Sequence, residues 1–169
     1  MTISMYQSSV PVFTKLLGNL SVILDKAAAD GEARKIDPAV FLGSRLAPDM
    51  YTLGRQIQIA CDFAKGTCAR LAGVEVPKYE DSEVTLAEFK ARIDKTLAFI
   101  ATLTAAQIDG SEEREIHLTS GGNPRVFKGQ FYLLSYSMPN FYFHYTTAYA
   151  ILRHNGVKIG KRDYVGSVE

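Results

Sequence analysis

The chain has 169 residues, the length of about one domain at roughly 100–200 residues per domain. Hydrophobic residues make up 47% and charged residues 22%, a balance that excludes an intrinsically disordered chain or a fibre. Nineteen basic against eighteen acidic side chains leave a net charge of +1, without the basic excess that a dedicated nucleic-acid binder uses on phosphates.

The first segment, Ser4 to Ala29, carries Tyr6, Val10, Phe13, Leu17, Leu20, Leu24 and Ala27 at steps of three and four, which predicts one face of an α-helix. Pro11 either bends it or moves its regular start to near Ser9, and Asp30-Gly31 is the predicted stop. Glu32 to Ala47 reads as a long connection in which Asp37-Pro38 can start one short turn. Pro48 then stands at a favoured first-turn position of a second long helix. Met50, Leu53, Ile57, Ala60, Cys61, Ala64, Cys68 and Leu71 follow with helical spacing, up to Gly73.

Thr85-Leu86-Ala87-Glu88 fits a capping box at the head of a third helix. Its predicted stripe is Leu86, Phe89, Ile93, Leu97, Ile100 and Leu103, fading near Gln107 to Gly110. Glu115 to Thr119 and Arg125 to Lys128, separated by the turn cluster Ser120 to Pro124, predict a small β-hairpin. The last helix spans Pro139 to His154, with a start as early as Gly129 open, and stops at Asn155-Gly156. The polar tail from Val157 to Glu169 is expected on the surface.

Four amphipathic helices predict an all-α fold, an antiparallel four-helix bundle with the hairpin inserted before the last helix. Residues 1–169 form one domain on this reading, and the long first connection leaves the helix order open. Phe131, Tyr132, Tyr136, Phe141, Tyr142, Phe143, Tyr145 and Tyr149 make the last helix the expected centre of packing. Charged residues interrupt every apolar stretch well short of about 18 residues, so no membrane span is expected. MTISMYQSSV lacks a charged n-region and a small-residue cleavage site, so it does not read as a secretory signal. Cys61 and Cys68 are seven residues apart, about 10 Å of helical rise, too far for an intrahelical disulfide. Buried free thiols fit a reducing compartment, and the expected location is the cytoplasm.

The three histidines restrict the chemistry. His144 and His154 are separated by about 15 Å of rise on one helix and cannot share a metal ion. His154 suits a role at the helix C-terminus, and His117 falls in the hairpin as a surface residue. His144 and Asn140, four residues apart, share a face beside the stripe of Phe141, Tyr145, Ala148 and Leu152. Gln56 flanks the stripe of the second helix, and Asp62 falls opposite that stripe, solvated or paired with a neighbouring Arg. Gln56, Asn140 and His144 therefore make a polar constellation between two helices, better suited to ligand recognition or a buried hydrogen-bond network than to hydrolysis. G-x-S-x-G, C-x-x-C, H-E-x-x-H and P-loop signatures are missing. Lys158, Lys161 and Arg162 read as a solvated basic cluster.

Pro139-Asn140-Phe141-Tyr142-Phe143-His144-Tyr145, the stretch Asp49 to Asp62, and Gly160-Lys161-Arg162-Asp163-Tyr164 together resemble the bacterial DUF1993 family, over nearly the whole chain. That family is similar in organisation to the DinB/YfiT-like helical bundles, many of them metalloenzymes or thiol-dependent transferases. The resemblance implies a triad of one histidine from the second helix and an H-x-x-x-H pair from the fourth. His144 matches the second of the pair, Asn140 stands in place of the first, and Gln56 is the match on the second helix. Two imidazoles are thus replaced by amides, which are poor zinc or nickel ligands. The leading expectation is an uncharacterised protein with a degenerate metal site, binding a small molecule between the two helices and holding no metal tightly. One alternative is a hydrolase or thiol-dependent transferase with zinc, nickel or manganese on His144, Asn140 and Gln56. The other is a non-catalytic homodimeric interaction module.

Overall fold

The computed structural model describes residues 3–167, with Ser120 through its backbone alone. Val168 and Glu169, the end of the expected tail, lie outside the described residues.

Helix α1 (Val10–Arg34) takes Pro11 into its first turn, where the missing N–H leaves no helical bond unmade, so the regular helix starts beside Ser9. It runs through Asp30-Gly31, against expectation, and ends at Lys35 with φ 56°. Gly31 is there for space: a Cβ would lie 3.1 Å from the Phe41 ring and 3.3 Å from the Ile36 carbonyl oxygen. Helix α2 (Pro38–Gly43), whose cap Asp37 accepts the Ala39 N–H at 2.9 Å, delivers that buried phenyl ring.

Pro48 stands in a turn, not at a helix start. Helix α3 (Leu53–Ala72) opens after Thr52 and stops at Gly73, φ 71°. It is buried on more than its apolar stripe, taking Gln56, Gln58, Lys65 and Thr67 inside with it. Helix α4 (Leu86–Ile100) has the expected capping box: Glu88 N–H donates to Thr85 Oγ1 at 3.2 Å, and Thr85 N–H donates to the Glu88 carboxylate at 2.9 Å. Its buried face is Leu86, Phe89, Arg92, Ile93, Thr96 and Ile100, so the expected stripe holds but is widened by Arg92 and Thr96, and Leu97 lies half-buried at its flank. The helix breaks at Ile100, and the short α5 (Ala105–Ile108) replaces the expected fade.

Strands β1 (Glu115–Ser120) and β2 (Asn123–Lys128) pair antiparallel with Ser120 opposite Asn123. Gly121 and Gly122 between them have φ 58° and 78°, the positive pair that a tight hairpin turn requires. The chain then enters the earlier of the two starts for its last helix: α6 (Gly129–Phe131), a π-helical stretch Tyr132–Ser137 and α7 (Met138–His154) follow one another without a break. Of the aromatic set, Tyr132, Phe141 and Tyr145 are fully buried, whereas Phe131, Tyr142 and Phe143 are exposed.

The long helices α1, α3, α4 and α7 share one core, in which Phe13 meets Phe141 edge-on with ring centroids 4.8 Å apart. The tail is not simply a polar surface strand. Val157 and Ile159 are buried, and helix α8 (Lys161–Val165) sets Tyr164 against Tyr145 and Tyr149. Tyr145 Oη donates to the Tyr164 carbonyl at 2.7 Å, and Lys26 pairs with Asp163 at 2.6 Å, strapping the tail across α1 and α7. Among the described residues no helix is long and apolar enough to cross a membrane.

Candidate functional site

Helices α3 and α7 pack directly against each other, and their seam carries two of the three expected residues in contact. His144 Nδ1 lies 2.7 Å from Gln56 Oε1. Gln56 is 1% exposed, and its Nε2 donates to the Tyr51 carbonyl at 3.2 Å. A carbonyl oxygen only accepts, so the amide nitrogen must face Tyr51 and the amide oxygen must face His144. Nδ1 therefore carries the imidazole proton, and Nε2 holds the lone pair in the neutral ring. Nε2 has no hydrogen-bond partner among the described residues.

Asn140 is placed differently. It is half-buried on the same helix, and its Nδ2 donates to the Tyr136 carbonyl at 2.7 Å, where the helix passes from π to α. Its amide nitrogen thus serves the backbone of its own helix. Phe63 completes the surroundings of the imidazole, its ring stacked on His144 at 6.0 Å and 18°, and Phe143 meets it edge-on at 5.2 Å. Burial, and secondarily the positive charge of Arg55, hold the His144 pKa below its ordinary 6.5. The ring is neutral at pH 7 and offers one acceptor.

A second polar cluster lies between α3, α4 and the connection before α4. Arg92, its side chain 2% exposed, reaches Asp62 at 3.0 Å, Asp81 at 3.0 Å and Glu83 at 2.9 Å. Arg55 binds Asp81 at 2.5 Å, Gln58 Nε2 donates to Glu83 at 3.0 Å, and Lys65 binds Asp62 at 3.0 Å. Asp62 is thereby paired with an Arg, as its position off the stripe implies. Burial works to raise the pKa of Asp81 and of Glu83. The hydrogen bond from Arg55 on Asp81 and the hydrogen bond from Arg92 on Glu83 lead the opposing effects, and both carboxyls end below their usual range. The sequence offered one signal for this cluster, a charged Arg92 at helical spacing inside the period Phe89, Ile93, Thr96 and Ile100.

The remaining candidates are simple. His117 and His154 are exposed, as are Lys158, Lys161 and Arg162. Cys61 and Cys68 are free and buried, and burial pushes the Cys61 thiol up to about 12 despite the nearby Arg92. Among the described residues no group of three or more His, Cys, Asp and Glu is arranged to hold a metal ion.

A family model described as a domain of unknown function, DUF1993, matches residues 5–165. The chain belongs to the DUF1993 family. A solved structure, that of a DinB family member protein from Shewanella denitrificans, is similar to this DUF1993 member at TM-score 0.88 and 43% identity, over 96% of this chain and 92% of that one. No curated protein matches it.

Proposed function

We propose that this DUF1993 protein binds a small molecule between α3 and α7, in a DinB-type antiparallel four-helix bundle whose metal site has been converted into a hydrogen-bonding site. The observation that supports this most strongly is the Gln56–His144 hydrogen bond. The donor set suits a metal poorly: it supplies one imidazole, Gln56 directs its oxygen at Nδ1, and no carboxylate or thiolate among the described residues joins the imidazole in a metal-binding group. What remains is a neutral imidazole fixed in one tautomer, with Nε2 ready to accept a hydrogen bond from a ligand hydroxyl or amide. The two buried free thiols fit a reducing compartment, so the proposed setting is the cytoplasm.

The test is metal content by mass spectrometry after dialysis against zinc, nickel, manganese and iron in turn, beside thermal shifts with a set of small phenols and amides. The expected result is no stoichiometric metal, with stabilisation by a donor-bearing compound that disappears in His144→Ala. A bound compound at a hundredfold excess over Kd adds about 2.7 kcal/mol. Near-stoichiometric metal lost in His144→Ala would instead establish the hydrolase or transferase alternative.

The homodimer reading is favoured by a different observation. Tyr142 and Phe143 on α7 are exposed, and with Leu46, Met50 and Pro139 they line one shallow apolar groove. Sedimentation velocity on the wild type and Phe143→Ser checks it, the expected result being a dimer that the substitution dissociates.

A further inference from the structure

Phe63, which stacks on His144, also lines a cleft of about 240 Å³ that is independent of the His144 site in its polar groups. Its walls come from α3 (Asp62, Phe63, Arg70), from β1 (Leu118) and from the π segment (Tyr132, Tyr136). Three features distinguish it from an ordinary surface dent.

First, Arg70 is half-buried and pairs with no carboxylate among the described residues; its Nη1 donates to the buried Tyr132 hydroxyl at 3.1 Å. The opposite charge in the cleft, Asp62, is already held by Arg92 and Lys65 and does not neutralise it. Second, Gly66 makes the placement of Arg70 possible. A Cβ at Gly66 would lie 2.5 Å from Arg70 Nη1, so the guanidinium folds back along α3 only over a bare backbone. Third, the facing wall is flat and stiff. Tyr132 stacks on Tyr136 at 5.9 Å and 24°, and Phe127 stacks on Tyr136 at 5.0 Å and 29°. Both tyrosines belong to the π-helical stretch, a widened turn of the kind often found at functional sites.

We propose that this cleft binds a small aromatic carboxylate, its ring against the Phe63 and Tyr136 walls and its carboxylate on the Arg70 guanidinium. An uncompensated guanidinium takes a carboxylate through two parallel N–H donors. The aromatic walls take a planar apolar body. One positive charge matches a monoanion, and the volume, below the usual range of about 300–1,000 Å³ for ligand pockets, limits the guest to about one ring.

The test is calorimetric titration of the full chain with benzoate and with phenylacetate, benzamide serving as the uncharged comparison, and with circular dichroism as the check of folding. Saturable binding of at least one acid is expected, at least tenfold tighter than benzamide. Arg70→Gln should weaken it tenfold or more, and Gly66→Ala should weaken it similarly while keeping the charge. If Arg70→Gln does not fold, Gly66→Ala and the benzamide comparison decide. Equal affinity in the variants, no saturable binding of either acid, or equal binding of benzamide would overturn the proposal. Acid-induced NMR shifts centred on His144 and retained in Arg70→Gln would overturn this cleft while leaving the α3–α7 reading standing.

Discussion

His144 and Gln56, 88 positions apart in the chain, meet at 2.7 Å and fix each other's hydrogen-bonding role. The relationship runs through Tyr51, whose carbonyl fixes the amide, which in turn fixes the imidazole tautomer. A contact between two distant helices thus decides which nitrogen of a histidine is available.

His144 should titrate below 6.5, because burial and Arg55 both disfavour its charged form. A depressed value means that the unfolded chain takes up the proton first. The stabilisation from the neutral ring is complete above pH 6.5 and is lost as pH falls through the folded value. NMR titration of the imidazole should show this, and Arg55→Gln should move the midpoint upward. A midpoint at or above 6.5 in the wild type contradicts the geometry.

Gln56→Leu removes the acceptor for Nδ1 and the donor for the Tyr51 carbonyl within the α3–α7 seam. Leaving such groups unsatisfied costs about 1–3 kcal/mol. Urea denaturation should read that loss, and Gln56→Glu should not recover it, because a buried carboxylate has no donor for the Tyr51 carbonyl.

Arg92→Met should destabilise the protein by about 3 kcal/mol, since it strips the shared cation from three carboxylates. The lowered values of Asp81 and Glu83 carry a pH signature of the opposite origin to that of the histidine. Their contribution is present above the ordinary carboxylate range and lost as pH falls through the folded values. The destabilisation by Arg92→Met should therefore be greatest at neutral pH and shrink as pH falls through the folded carboxylate values, which denaturation at a series of pH values reads.

The thiols of Cys61 and Cys68 should be nearly inert toward a disulfide reagent at pH 8, since both are buried and held protonated. Two thiols should react at once in guanidinium. Rapid labelling of the native protein would show that the core opens far more readily than its packing implies.

The helices were legible because their stripes and caps are local: Thr85 and Glu88 mark a helix start by themselves, and Gly121-Gly122 marks the hairpin. The misplaced features depend on what lies across the core. Asp30-Gly31 looks like a stop only until Phe41 is seen to need the space that Gly31 leaves. Pro48 resembles a first-turn proline, yet the chain turns there and starts α3 at Leu53. Leu97 fits a helical period, but Arg92 takes the inward face because three carboxylates from elsewhere are waiting for it. At the candidate site, spacing identified Gln56, Asn140 and His144. It could not show that the Asn140 amide would turn to the Tyr136 carbonyl, since that bond accompanies a π turn without a sequence signature.

The π-helical stretch Tyr132–Ser137 amounts to a surplus in the residue count of the last helix. Every residue of an α-helix turns the chain by about 100°. Shortening this stretch by one residue would let it close into ordinary α-helix, with α7 still seated on α3. Because the widened turn already absorbs its extra residue, the two halves of the helix would keep their relative phase, and the hairpin would stay on the same side of the protein. The surplus is therefore spent locally: a single-codon deletion there would reshape the tyrosine side of the cleft and leave the molecule's outline as it is.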